Sequence, residues 1–191
     1  MTKSKVYASV QVSDRTIELR DIQEEDVAPI VRYWHDSDHR YLESLGVDIN
    51  KLRTREETAA LFKKSLRATR APFDRATLVF SDNEKAIGYT NLNYRDEGVA
   101  YAHVHILYPE YLGLGFMSEL FQPAVRVFFT EFPTRELRFE TSTTNARINR
   151  YLEKVGMVVS KTEYVENPDG MARAGLFNLY VVTKESVVNS R

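Results

Sequence analysis

The chain contains no cysteine, which excludes disulfides, a thiol nucleophile and Cys-ligated zinc. It also lacks long hydrophobic runs. No segment approaches the roughly 20 apolar residues of a membrane helix, and the opening Met1-Thr-Lys-Ser-Lys-Val has none of the apolar stretch of a signal peptide. A soluble cytoplasmic protein with no membrane partner is the expectation. Charge of one sign is missing as well: the formal net charge of -1 argues against a duty dominated by nucleic-acid phosphates. There is no internal repeat, low-complexity tract or linker. What remains is an ordinary globular composition, 43% apolar and 28% charged over 191 residues, enough for one domain spanning residues 1–191 with a sizeable core.

Periodicity gives the elements. Thr16–Arg20 alternates as a short strand, and Asp21–Glu25 supplies an acidic helix start before Val27, Ile30, Val31 and Trp34 at helical spacing. Ser37–Leu52 reads as irregular. Thr54 with Glu57 forms a capping-box pattern for a helix over Arg55–Thr69, ended by Pro72. Strands are expected at Ala76–Phe80, Ala86–Tyr94 and Val99–Leu107, joined by turns at Ser81–Glu84 and Asp96-Glu97-Gly98. A helix then runs to about Phe132, its axis expected to kink at Pro123, and Pro133 stops it. Leu137, Phe139 and Thr141 mark another strand. Asn145 is a good N-cap for a helix with stripe Ile148, Tyr151, Leu152 and Val155, and Gly156 stands where a left-handed terminal residue belongs. Met157–Val165 and Gly175–Thr183 close the chain as a hairpin. The order implies a mixed α/β layer with a right-handed parallel crossover from Val99 to Thr141.

The most informative stretch is Tyr101 to Phe121: a strand bearing His103 and His105, a Gly113-Leu-Gly115 turn, and a helix start. Unpartnered N–H groups at a helix start, next to glycines that admit a ligand, make an anion site. A Walker loop is excluded because Phe116 and Met117, not Lys and Ser or Thr, follow Gly115; a dinucleotide fingerprint is excluded because Ser118 stands where its third glycine belongs. The bland alternative is a tight turn.

Element order and motifs resemble the GNAT superfamily of N-acetyltransferases, most nearly the branch containing ribosomal-protein N-terminal acetyltransferases. Glu110-Tyr-Leu-Gly113-Leu-Gly115 matches the family's pyrophosphate loop, preceded by Pro109, and Asn145 through Lys154-Val-Gly156-Met157 matches its second motif. The resemblance implies a mixed, mostly antiparallel twisted sheet with a central parallel crossover and flanking helices. It implies acetyl-CoA as co-substrate, an amine acceptor and a monomer or homodimer. Leu107, Tyr108, Leu112, Gly113, Leu114, Gly115, Phe116, Met117, Asn145 and Asn149 would hold the cofactor, with the N–H near Leu107 polarising the thioester carbonyl. The chain departs from the family at Glu110, where Gln or Arg is usual, and at Leu152, where many members have the tyrosine that protonates the leaving thiolate. Tyr151 is adjacent but sits on the apolar stripe.

Attack by an amine needs a deprotonated nucleophile, and imidazole is the natural base at neutral pH. His103 and His105 share one strand face with Tyr101. Either they act as bases, or they form a polar face satisfied by hydrogen bonds. Glu140 matches the position of a glutamate base in some ribosomal-protein acetyltransferases. It would raise a histidine's basicity if paired with one, or else be a solvated carboxylate paired with Arg138 or Arg147. Tyr33, His39, Tyr41 and Leu42 are candidates for the acceptor wall, in or beside Ser37–Leu52. His35-Asp-Ser-Asp-His39 has two histidines four apart but no third ligating element, so a polar helix end is favoured over a metal site. Two other functions stay open: a different acyl group or acceptor, such as a siderophore-precursor amine, and an acyl-CoA-binding domain without turnover.

Overall fold

The computed structural model describes residues 4–66, 75–168 and 170–185. One eight-stranded sheet carries the molecule: β1 (Val6–Val12), β2 (Arg15–Asp21), β3 (Arg75–Asp82), β4 (Lys85–Asp96), β5 (Val99–Ile106), β6 (Glu136–Ser142), β7 (Val159–Val165) and β8 (Gly175–Thr183). Their spatial order is β1-β2-β3-β4-β5-β6-β8-β7. All neighbours are antiparallel except β5 and β6, which pair in parallel, as a β-α-β crossover requires. The helices are α1 (Glu24–Asp36), α2 (His39–Ser44), α3 (Arg55–Leu66), α4 (Phe116–Thr130) and α5 (Ala146–Lys154).

Turn chemistry sets the hairpins. Asn83 and Glu84 both take positive φ between β3 and β4, the backbone of a primed two-residue turn whose twist matches the strands it joins. The α3 start is the expected capping box: Glu57 accepts from the Thr54 N–H at 2.9 Å, and Thr54 Oγ1 accepts from the Glu57 N–H at 3.1 Å. The expected end of that helix near Thr69 and Pro72 lies outside the described residues. β1 is a strand the pattern reading leaves out, although Val6, Ala8, Val10 and Val12 alternate along it. Ser37–Leu52, expected to be irregular, contains α2 and a short 3-10 turn at Ile49–Lys51. Asp38 and Asp48 nucleate them by accepting backbone N–H bonds from Tyr41 and Asn50. α4 continues unbroken through Pro123.

The sheet divides two apolar cores. Leu78, Phe80, Leu92, Leu137 and Phe139 pack under α4, which contributes Phe116, Leu120, Phe121, Val125 and Phe128, with Leu152 from α5. On the other face Ile30, Tyr33, Trp34, Leu42, Phe62, Val79 and Tyr89 gather under α1, α2 and α3. Gly88 is required where β4 meets β5, since a Cβ there would lie 2.7 Å from the His105 carbonyl oxygen.

Candidate active site

The β5–β6 ladder runs only from Val99↔Glu136 to Tyr101↔Arg138. Both strands continue beyond it, β5 to Ile106 and β6 to Ser142, while β6 keeps pairing with β8 to its end. The sheet therefore opens into a wedge whose β5 wall has an unpaired edge, a place where an extended chain carrying amides can add as a strand. Directly after β5, Gly113 and Gly115 take φ of +81° and +90°, and Gly115 is the N-cap of α4. A Cβ built on either glycine meets nothing within 4 Å, so the turn is open on that side, and the Phe116 and Met117 N–H groups begin α4 without an intrahelical acceptor. Leu112 is half-buried and Leu114 exposed; Phe116 is core, in contact with Phe80, so its share in any anion site is its backbone N–H alone. Glu110 is exposed on the turn Pro109–Tyr111. Tyr108 lies under the Lys85 ammonium, 4.2 Å from its ring centroid.

Register places a polar band on the wedge's α1 face. Tyr89, Asn91 and Asn93 of β4 stand opposite His105, His103 and Tyr101 of β5. On β6 the apolar alternates Leu137 and Phe139 turn to the α4 core, which leaves Arg138 and Glu140 on the polar side. His105 Nδ1 is hydrogen-bonded to Tyr33 Oη at 3.2 Å, and its ring stacks on Tyr89 and meets Trp34 edge-on. Burial, then the neighbouring His103 and the Arg75 cation, hold His105 far below the usual imidazole range, at about 3. Burial followed by Arg75 and Arg95 holds His103 at about 4. Both rings are neutral at neutral pH. The expected Glu140–histidine pair is not formed: Glu140 faces Arg95 Nη2 at 3.7 Å, and neither Arg138 nor Arg147 is its ion partner, Arg138 instead binding Glu136 and donating to Tyr101 Oη at 3.0 Å. No carboxylate raises either imidazole's basicity; the nearby charges are cations and lower it.

The acceptor wall divides. Tyr33 is 5% exposed with its hydroxyl on His105, and Tyr41 is half-buried with its ring 6.4 Å from that of Tyr33. Leu42 is fully buried core, a correction to its expected place on the wall, because the α2 turn it sits on rolls its apolar side inward. His39 is exposed at the first turn of α2, while His35 ends α1 and bonds Thr58 Oγ1 at 3.2 Å; the break between the two helices removes any shared face. The segment closes over the tip of β6: the Leu45 carbonyl accepts from Asn145 Nδ2, and Val47 bridges Ala172.

Three cofactor residues take other duties. Asn149 is 7% exposed and saturated, its Oδ1 accepting from Thr141, Asn178 and Tyr180 and its Nδ2 donating to the Ser142 and Asn145 carbonyls. It organises β6, β8 and α5 and has no bond left for a ligand. The Leu107 N–H donates to the Ile87 carbonyl at 2.8 Å, so it is not a free donor for a thioester. Asn145 caps α5 through the Ile148 N–H at 3.4 Å while also holding Leu45. Tyr151 donates its hydroxyl to the Met117 carbonyl at 2.8 Å and packs on Phe121, and burial raises its pKa, so its role is to pin α5 to the start of α4. Arg75, Asn91, Asn93 and Arg95, which the sequence reading does not single out, lie on the same band; their signal is polar residues two apart, Asn91 within the buried run Ala86–Leu92 and Asn93 just after it.

A family model for the acetyltransferase (GNAT) domain matches residues 16–158. No curated protein sequence matches the chain. Among solved structures, it is similar to a spermidine N-acetyltransferase from Vibrio cholerae in complex with CoA and spermine (19% identity, TM-score 0.70, covering 91% of this chain and 98% of that one). It is also similar to the ribosomal-protein alpha-N-acetyltransferase RimL with CoA (14%, 0.69, 94% and 99%) and to the aminoglycoside acetyltransferase AAC(6')-Ib with CoA (20%, 0.67, 92% and 99%). These likenesses carry the fold; the model match, over most of the chain, establishes that this protein belongs to the GNAT acetyltransferase family.

Proposed function

We propose that the protein transfers an acetyl group from acetyl-CoA to a primary amine by direct attack in a ternary complex. The observation that carries this reading is the wedge after Tyr101↔Arg138 capped by the positive-φ glycines at the α4 start. The N–H groups of Phe116 and Met117 would take the pyrophosphate at the positive end of the helix dipole. The open β5 edge would pair with the amides of the pantetheine arm, which sets the thioester beside the polar band. An acyl-cysteine intermediate has no residue to form on. Similar structures that bind CoA and are named as amine acetyltransferases support the reading.

The amine would enter past Tyr33 and Tyr41. Proton transfer from an ammonium of pKa about 10 to an imidazole held near 3 or 4 is uphill by some six or seven units, about 8–10 kcal/mol. His103 and His105 are therefore poor bases in this state, and act as neutral hydrogen-bonding groups that orient the amine. The amine would therefore lose its proton to bulk solvent before attack, and the site would act by positioning it.

Calorimetry with acetyl-CoA and thiol release over an amine panel test the proposal. Gly115→Val adds a branched side chain at φ +90° in the open space where the phosphates would lie. It should cut acetyl-CoA affinity by about a hundredfold or more, on the scale of losing two charge-assisted bonds. Wild-type affinity in that variant would reject the loop assignment.

A further inference from the structure

Two donors on the polar band have no hydrogen-bond acceptor among the described residues. Asn91 is 2% exposed, and its Nδ2 lacks a hydrogen-bond partner, as does the buried Nε of Arg75. A native interior seldom leaves such groups unmet, and each asks for an explanation. The two residues occupy adjacent strands on one face: Arg75 pairs with Asn93, and Asn91 pairs with Thr77, one side-chain step along. Arg75 is anchored rather than loose, with Nη1 donating to Asn93 at 3.0 Å and its guanidinium 4.6 Å from the Phe62 ring centroid. Asn91 stands opposite His103, and Arg95 and Arg138 extend the same band over Tyr101. The carboxylates of the band, Glu136 and Glu140, already face arginines.

From this geometry we infer that the acceptor carries an anionic group of the carboxylate class, received by Arg75 Nε and Asn91 Nδ2 beside His103. The inference rests on the proposed acetyl transfer for the position of the amine, but not for the anion site itself. The His103–Asn91 rung lies two residues, about 7 Å, from the His105–Tyr89 rung, where Tyr33 meets His105 and the amine would enter. The acceptor is thus an amine with a carboxylate one strand step away, and a polyamine is disfavoured because it would bring cations against Arg75 and Arg95.

The test uses short ω-amino carboxylates of increasing length, their primary amides, and polyamines. The wild type should favour the best carboxylate over its amide by about tenfold or more in kcat/KM, the scale of hydrogen bonds to a charged group. Arg75→Gln and Asn91→Leu should bring that ratio near one while the calorimetric Kd for acetyl-CoA stays unchanged. Asn91→Asp carries a carboxylate into the site itself; it should raise Tm and abolish the preference, which keeps the proposal testable if Arg75→Gln fails to fold. Equal rates for carboxylate and amide, a preference for polyamines, or a ratio unmoved in these variants would overturn it. A crystal structure with the Asn91 carbonyl turned onto Arg75 Nε would also overturn it, since the site would then satisfy itself. The transfer reading fails separately, by absence of acetyl-CoA binding. In that event a saturable thermal shift with the amino carboxylate, lost in Asn91→Asp, still supports the anion site, and no shift rejects it.

Discussion

At the scale of single residues, the polar groups near the wedge differ in whether their bonds are already spent. Asn149 has exhausted its capacity, Tyr151 donates its hydroxyl to a backbone carbonyl, and Arg75 and Asn91 each keep a donor without an acceptor among the described residues. The proposed anion contact falls to the last kind. Tyr151→Phe removes one hydrogen bond, so it should cost about 1 kcal/mol of stability. Its kcat should stay far above the 10²–10⁴-fold fall, on the order expected for loss of a catalytic acid. Steady-state rates and a melting curve on the same variant decide; a fall of that size would make Tyr151 the acid despite its bond to Met117.

At the scale of elements, the wall on which Tyr33 and His105 meet is held by a buried ion pair. Arg20 on β2 donates from Nη1 and Nη2 to both oxygens of Asp26 at the start of α1, and also to Ser81 and the Glu84 carbonyl, with side-chain exposures of 6% and 2%. The Asp26 carboxylate closes the α1 cap by accepting from the Gln23 N–H as well. Asp26→Asn would leave a buried guanidinium without its counter-charge, a loss of about 3–5 kcal/mol. The urea midpoint should drop accordingly, and an unchanged midpoint would show the pair to be dispensable. The β4–β5 contact is as exacting: Gly88→Ala places a methyl against the His105 carbonyl, where the obstacle is backbone and has no rotamer to yield. That variant should lose stability by overpacking, about 1–3 kcal/mol by the same measurement, and no loss would mean the two strands can part.

At the scale of the whole molecule, the sheet brings two histidines and three arginines onto one half-buried band, and this sets the response to acid. The folded pKa values of His103 and His105 lie below the ordinary 6.5, so between about 6.5 and 4 the unfolded chain binds more protons than the native one. Stability should then be full above pH 6.5 and fall as pH drops toward 4. Replacing both histidines with Gln should flatten that fall; a wild-type Tm constant from pH 7 to 4.5 would contradict the depressed values. The same values predict that kcat/KM climbs with pH toward the acceptor amine's own pKa, with no histidine inflexion between about pH 5.5 and 7.5.

What the sequence determined by itself was whatever local chemistry dictates. The Thr54–Glu57 box, the Asn145 cap, the Gly113 and Gly115 turn and the 2.0 and 3.6 periodicities are contained within a few residues, and they sufficed for seven of the eight strands described, the parallel crossover and the family resemblance. α2 escaped because its nucleus is the side chain of Asp38 rather than an apolar stripe, and β1 because a half-exposed edge strand shows weak contrast. Only the tertiary structure could decide which polar groups are saturated and which way the histidines titrate. Asn149 is excluded by partners on β6 and β8, Leu42 by burial in the core beside α1, and the imidazoles by their own burial first and then by cations arriving from other strands. Hydrogen-bond capacity and desolvation are properties of what surrounds a side chain, and those surroundings exist only once strands distant in sequence have paired.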